Sequence, residues 1–122
     1  MWPKGKISAL ILTFDFDAES AEYRKYPDKP VKLSKGIYGA KKGLPRILNL
    51  LDKHQIKATF FVCGWVAEKY PEITREIVKR GHEVAAHGYL HENLSELSYH
   101  EEEEVFRKTI KAIESVCKVK PK

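Results

Sequence analysis

A nearly unbroken apolar run over residues 7–14 stops at two acidic residues, Asp15 and Asp17. A run of this kind, with branched residues and no polar alternation, is expected to be a strand buried on both faces of a parallel sheet. It is too short to cross a bilayer. Two further strands are expected over residues 58–62 and 83–86. Helical periodicity fills the gaps. One helix is expected over residues 44–54, with Pro45 in its first turn and Ile47, Leu48, Leu50 and Leu51 on its apolar side. A second helical region covers about residues 65–80, which Pro71 breaks or restarts and Gly81 ends in a left-handed conformation. Ser98 and Glu101 form a capping-box pattern. It opens a helix that turns Val105, Ile110, Ile113 and Cys117 inward.

The order strand, helix, strand, helix, strand, helix predicts an α/β fold, a parallel βαβαβα arrangement with right-handed crossovers. Ligand sites in such sheets lie at the carboxyl ends of the strands. Asp15 and Asp17 close the first strand, Cys63 and Gly64 follow the second, and His87 and His91 follow the third. All these polar residues are thereby expected on one rim. Residues 18–43 contain Pro27, Pro30, Gly36, Gly39 and Gly43 and read as a long polar connection, a candidate substrate loop or lid.

His87 and His91 are four apart, so a short helical turn could aim both imidazoles at one ion. Asp17 would add an oxygen ligand and leave a coordination position for water, as catalytic zinc sites do. Asp15 shares the side of Asp17 if the backbone stays extended, which suits it to take a proton from that water. The same spacing is compatible with a structural ion, or with acidic residues that merely end a strand and a solvent-facing histidine. Glu92 could orient a ligand or a nearby water. His54, His82 and His100 are read as structural or solvated.

Composition narrows the class. With 122 residues, 43% hydrophobic and 32% charged, the chain has room for one domain and one modest core. The net charge of +5 is spread along the sequence, whereas nucleic-acid binding asks for a concentrated basic face. Its densest part, residues 24–42, is interleaved with tyrosines that could stack on bases, the weaker alternative. Lys4 and Lys6 precede the apolar run, but no small-residue cleavage site follows, so no secretory signal is expected. Cys63 and Cys117 lack CxxC spacing and read as buried thiols of a cytoplasmic protein. Neither a membrane nor a nucleic acid is an expected partner.

Three ordered segments carry a resemblance. Thr13-Phe14-Asp15-Phe16-Asp17 resembles the first motif of the polysaccharide deacetylase family, the NodB-like carbohydrate esterases. Ile56-Lys57-Ala58-Thr59-Phe60-Phe61-Val62 resembles its second strand. Gly81-His82-Glu83-Val84-Ala85-Ala86-His87-Gly88-Tyr89-Leu90-His91-Glu92 resembles its histidine motif. The common first motif has adjacent aspartates, here separated by Phe16, and Gly88 stands where Ser or Thr is usual. With Tyr38-Gly39 and Gly43-Leu44-Pro45-Arg46, these departures resemble the peptidoglycan deacetylase-like and allantoinase-like branch.

The resemblance implies the N-terminal portion of a distorted (β/α) barrel of about seven or eight strands. It implies a divalent ion, zinc first with cobalt, manganese or nickel as alternatives, held by Asp17, His87 and His91, and Asp15 as general base. The implied reaction is hydrolysis of carbon-nitrogen bonds other than peptide bonds, first in acetylated amino sugars of a polysaccharide. Hydrolysis of allantoin-like or cyclic-imide rings is the enzymatic alternative, and a metal-binding module without turnover the other. Tyr23 and Tyr38 are candidate substrate contacts. The family's late histidine, which protonates the leaving amine, and its base-tuning arginine have no match here. Residues 120–122 read like the approach to a further strand, so residues 1–122 are expected to be a partial domain. An unclosed edge at the third strand would then invite self-association.

Overall fold

The computed structural model describes residues 5–122. Lys4, weighed above in the signal argument, lies outside them. Three parallel strands, β1 (Thr13–Phe16), β2 (Thr59–Val62) and β3 (Glu83–Ala86), form one sheet in the order β1-β2-β3. Helices α1 (Ser20–Lys25), α2 (Pro30–Tyr38) and α3 (Leu44–Lys53) lie between β1 and β2 in sequence. Helices α4 (Gly64–Lys69) and α5 (Pro71–Lys79) lie between β2 and β3, and α6 (Tyr99–Cys117) follows β3. The α/β class, the parallel order and the open sheet are as expected.

Register explains which face is buried. Phe14, Phe60 and Val84 are in-line partners, as are Phe16, Val62 and Ala86. This face meets Leu44, Leu48 and Leu51 of α3, Val66 and Ala67 of α4, Ile77 of α5 and Ile113 of α6 in one hydrophobic cluster. The other parity carries Thr13, Asp15, Thr59, Phe61, Ala85 and Glu83, of which only the small Ala85 is buried. Thr59 Oγ1 donates to Glu83 Oε2 across it at 2.6 Å. The sheet is therefore covered on one side among the described residues, not on both as the apolar run suggested.

Two sequence expectations change. The first strand begins at Thr13, because its first rung to β2 is the Thr59 N–H to Leu12 carbonyl bond at 3.1 Å. Upstream, Ile7, Leu10 and Ile11 are 91%, 86% and 78% exposed. An apolar run becomes a buried strand only where a neighbour exists to pair with it, and β2 is four residues long. Residues 18–43 are also not an open loop: they fold as α1, α2 and a wide turn at Gly39–Gly43. Pro30 starts α2, a position where its missing N–H is harmless. Gly36, which reads as a loop residue, lies inside α2 because any Cβ there would overlap the Ala18 carbonyl.

The remaining boundaries follow local chemistry. Pro71 separates α4 from α5, and Gly81 ends α5 at φ +78°. Ser98 Oγ accepts from Glu101 N–H while the Glu101 carboxylate accepts from Ser98 N–H, closing the capping box. The Ser98 hydroxyl, which donates to Glu101 Oε2 at 2.7 Å, and then the Ser98 N–H hold the Glu101 carboxyl below its ordinary range. Of the residues expected inward on α6, Ile113 and Cys117 are buried, whereas Val105 and Ile110 are only partly covered. At the far edge, Lys122 N–H donates to Val84 O at 3.1 Å and Ala86 N–H to Lys122 O at 3.3 Å. The final residue thus already lies along β3 as a strand would, and part of that edge is paired within the chain.

Candidate metal centre

Strand alternation brings Asp17 to the rim on the same parity as Asp15. Ala18, at φ +44°, then turns the chain, and Ser20 N–H closes onto Asp17 O at 2.9 Å. The turn buries Glu19 completely on the inner side. Its carboxylate accepts from Tyr70 Oη at 2.8 and 3.0 Å and pairs with Lys69 Nζ at 2.6 Å. Burial, with Glu19 alongside, holds the Tyr70 phenol up in its protonated, donating form. This anchor lies two residues beyond Asp17.

His87 continues directly from β3, its N–H donating to Val62 O at 3.1 Å. Residues 87–91 are an irregular bend, not the helical turn that the four-residue spacing suggested. Gly88 at φ +70° and His91 at φ +55° reverse the backbone twice. Gly64 N–H donates to Gly88 O and Trp65 N–H to Tyr89 O, each at 3.0 Å, so the start of α4 grips the bend. The two imidazoles meet edge to face, with centroids 5.0 Å apart. His87 Nε2 is 3.4 Å from Asp17 Oδ1, and His91 Nε2 is 3.6 Å from Asp17 Oδ2. Asp17, His87 and His91 each offer a donor atom within 4.8 Å of the others.

These residues fit a divalent cation. His87 Nε2 is buried and has no hydrogen-bond partner although the Asp17 carboxylate is near. Close approach without alignment is what separate donors aimed at a shared point produce. Two imidazoles and one carboxylate suit zinc and neighbouring divalent metals. Beneath them Cys63 is fully buried, its Sγ 3.2 Å from His87 O and 3.8 Å from Asp17 Oδ1, with Ser20 Oγ donating to it at 3.6 Å. Burial pushes this thiol up to about 12, so it stays protonated and acts as a donor.

Asp15 and Asp17 both line a cleft of about 340 Å³ whose opposite wall is Lys35, Gly36, Gly39 and Gly43. The segment expected to be a substrate loop is thus a helical wall beside the aspartates. His87, His91 and Glu92 line an adjoining recess of about 110 Å³. Tyr23 and Tyr38 line neither. Tyr23 stacks on Trp65 with centroids 4.8 Å apart, and Tyr38 is 56% exposed and accepts from Arg46 at 3.4 Å. A larger recess of about 600 Å³, between α5 and the turn before α3, contains none of the four site residues.

Glu19 and Cys63 were missed as site supports. A clue lay in the polar continuation Asp15-Phe16-Asp17-Ala18-Glu19, and in Cys63 following β2 on the same rim.

Comparison with known proteins adds a decisive match. The polysaccharide deacetylase family model aligns with residues 4–122. The chain belongs to the polysaccharide deacetylase family. A peptidoglycan deacetylase of Helicobacter pylori is 36% identical over 104 residues, 84% of this chain and 36% of that protein. A Mycobacterium smegmatis structure of polysaccharide deacetylase type matches with TM-score 0.94 at 41% identity, over 99% of this chain and 43% of that one. A structure described as a CE4 family pseudoenzyme, from Bacillus anthracis, matches with TM-score 0.68 at 31% identity, over 92% of this chain and 32% of that one. The chain spans about a third of the length of the curated relatives it matches. The likeness covers both aspartates, both histidines and the strands that carry them. No described helix is long and apolar enough to cross a membrane.

Proposed function

We propose that this chain carries the metal-binding and base-bearing portion of a hydrolase that removes acetyl groups from amino sugars of a polysaccharide. The observation that carries this reading is the buried, unpartnered His87 Nε2 facing Asp17 beside His91. Asp17, His87 and His91 would hold a divalent ion, zinc first, which supplies Lewis acidity and a water that ionises near neutral pH. Asp15, two residues before Asp17 and on the same cleft, would take the proton of the attacking water. The Cys63 thiol and the Glu19 anchor keep Asp17 from swinging away, so its carboxylate is oriented before substrate arrives. The cleft between the two aspartates and Lys35, Gly36 and Gly39 would admit an acylated amine.

A second reading is an ion-binding module without turnover. It is favoured by the likeness to the pseudoenzyme and by the lack, among the described residues, of a group assigned to protonate the departing amine. Acetate release from chitooligosaccharides and peptidoglycan fragments, with allantoin as the small-ring comparison, separates these readings. The deacetylase reading expects release from a glycan by the metal-loaded chain, and Asp15→Asn to abolish it while ion binding survives. Unchanged turnover in Asp15→Asn would remove the base role. Ion binding with no turnover on any substrate would leave the module reading.

A further inference from the structure

The bend that presents the two histidines is held open from within by one side chain. Glu92 Oε2 accepts from Tyr89 N–H at 2.8 Å and Oε1 accepts from Leu90 N–H at 2.8 Å. These are the two amides between His87 and His91 that face into the bend, and a carboxylate satisfies both with its separate oxygens. The outward carbonyls of Gly88 and Tyr89 are taken by Gly64 and Trp65. Both sides of the bend are therefore pinned, one by α4 and one by Glu92. A Cβ built on Gly88 would lie 2.8 Å from Glu92 Oε2, well inside contact distance.

We infer that Glu92 is a positioning residue that sets the separation of His87 and His91 by bridging the Tyr89 and Leu90 amides, and that Gly88, which its φ of +70° already favours as glycine, also leaves room for the carboxylate in this pose. This rests on the metal-centre reading. It goes further by coupling two positions: a side chain at residue 88 and a carboxylate at residue 92 in this pose exclude each other. Glu92 does not touch either imidazole in this role; it acts through the backbone. The left-handed His91, at φ +55°, shows why a brace is needed, since that conformation is unfavourable for a residue with a Cβ.

Glu92→Gln has one acceptor oxygen and an amide NH2 donor that would oppose the second N–H. The full chain and this variant are titrated with Zn2+ alone by calorimetry. Amide hydrogen exchange at Tyr89 and Leu90 is followed in the metal-free chain. The inference expects the variant to bind Zn2+ about 10- to 100-fold more weakly, the usual cost of losing a group that supports a ligand. Both amides should exchange faster while far-ultraviolet circular dichroism stays the same. Gly88→Ala is expected to weaken binding more in the parent than in a Glu92→Ala background, where the contact with the carboxylate is gone and only the strain of a Cβ at φ +70° remains. Equal Zn2+ affinity and equal amide protection in Glu92→Gln would overturn the inference, as would additive effects of the Gly88 and Glu92 changes. If the parent chain bound no Zn2+, the metal-centre reading would fail, while amide exchange would still decide whether Glu92 braces the bend.

Discussion

His82 stands at the start of β3 with its ring buried against Phe60, centroids 5.4 Å apart. Nδ1 accepts from Ala58 N–H at 3.3 Å, whereas Nε2 is buried without a partner. Burial first, then the Lys57 ammonium and the Arg80 guanidinium against the opposing pull of Asp52, hold its pKa below 6.5. The unfolded chain therefore binds the proton that the folded chain refuses. Stability from this residue is present above about pH 6.5 and is lost as pH falls through the lowered folded value. Urea midpoints measured from pH 7.5 to 5 should decline, and His82→Gln should flatten that decline. An unchanged slope in the variant would place the proton uptake elsewhere. This histidine was legible as structural from its place before a strand. Asp15, Asp17, His87 and His91 were legible too, because side-chain alternation and strand ends suffice to put them on one rim. Glu92 was legible as a residue that could orient a ligand, but its hold on the bend was not, nor were Cys63 and Glu19 as supports: the chain turns at Ala18, Gly88 and His91, and no spacing rule encodes a left-handed residue other than glycine.

At the scale of elements, helices α3, α5 and α6 were readable because proline, glycine and a capping box mark their ends. The apolar run was misleading in extent, since hydrophobicity over residues 7–11 says nothing about whether a neighbouring strand reaches that far. The glycines of residues 18–43 misled in kind: Gly36 is a packing glycine inside α2. Gly64 plays a similar part at the start of α4. A Cβ there would stand 2.7 Å from Tyr89 Cδ2 and 2.9 Å from Thr109 Cα. Tyr89 is held on its other side by its hydroxyl bond to Glu68 at 2.8 Å and by Lys108 Nζ 3.5 Å from its ring centre. Gly64→Ala should therefore destabilise the chain by about 1–3 kcal/mol through overpacking. It should also weaken Zn2+ binding, because the histidine bend hangs on the same residue's N–H. Chemical denaturation together with ion titration checks both, and a variant as stable and as tight-binding as the parent would show that α4, α6 and the bend are not rigidly coupled.

For the whole molecule, one hydrophobic cluster ties all three strands to α3, α4, α5 and α6 on a single side of the sheet. Asp15 lies exposed on the other side, and Lys122 is hydrogen-bonded along β3. This is the geometry of part of a barrel wall. The three residues that could hold an ion come from the ends of β1 and β3, which flank β2 in one sheet, so the cluster assembles within this chain while no described residue is assigned the acid role. Asp17, His87 and His91 are proposed to form a preassembled divalent-metal centre within this chain. The direct measurement is bound Zn2+ and its affinity in the purified parent and in Asp17→Ala, His87→Ala and His91→Ala, with circular dichroism confirming that each is folded. One ion per parent chain is expected, with affinity falling by more than about 100-fold in each variant, beyond the range for a group that only supports a ligand. Unchanged metal content in any of the three folded variants would contradict the assignment.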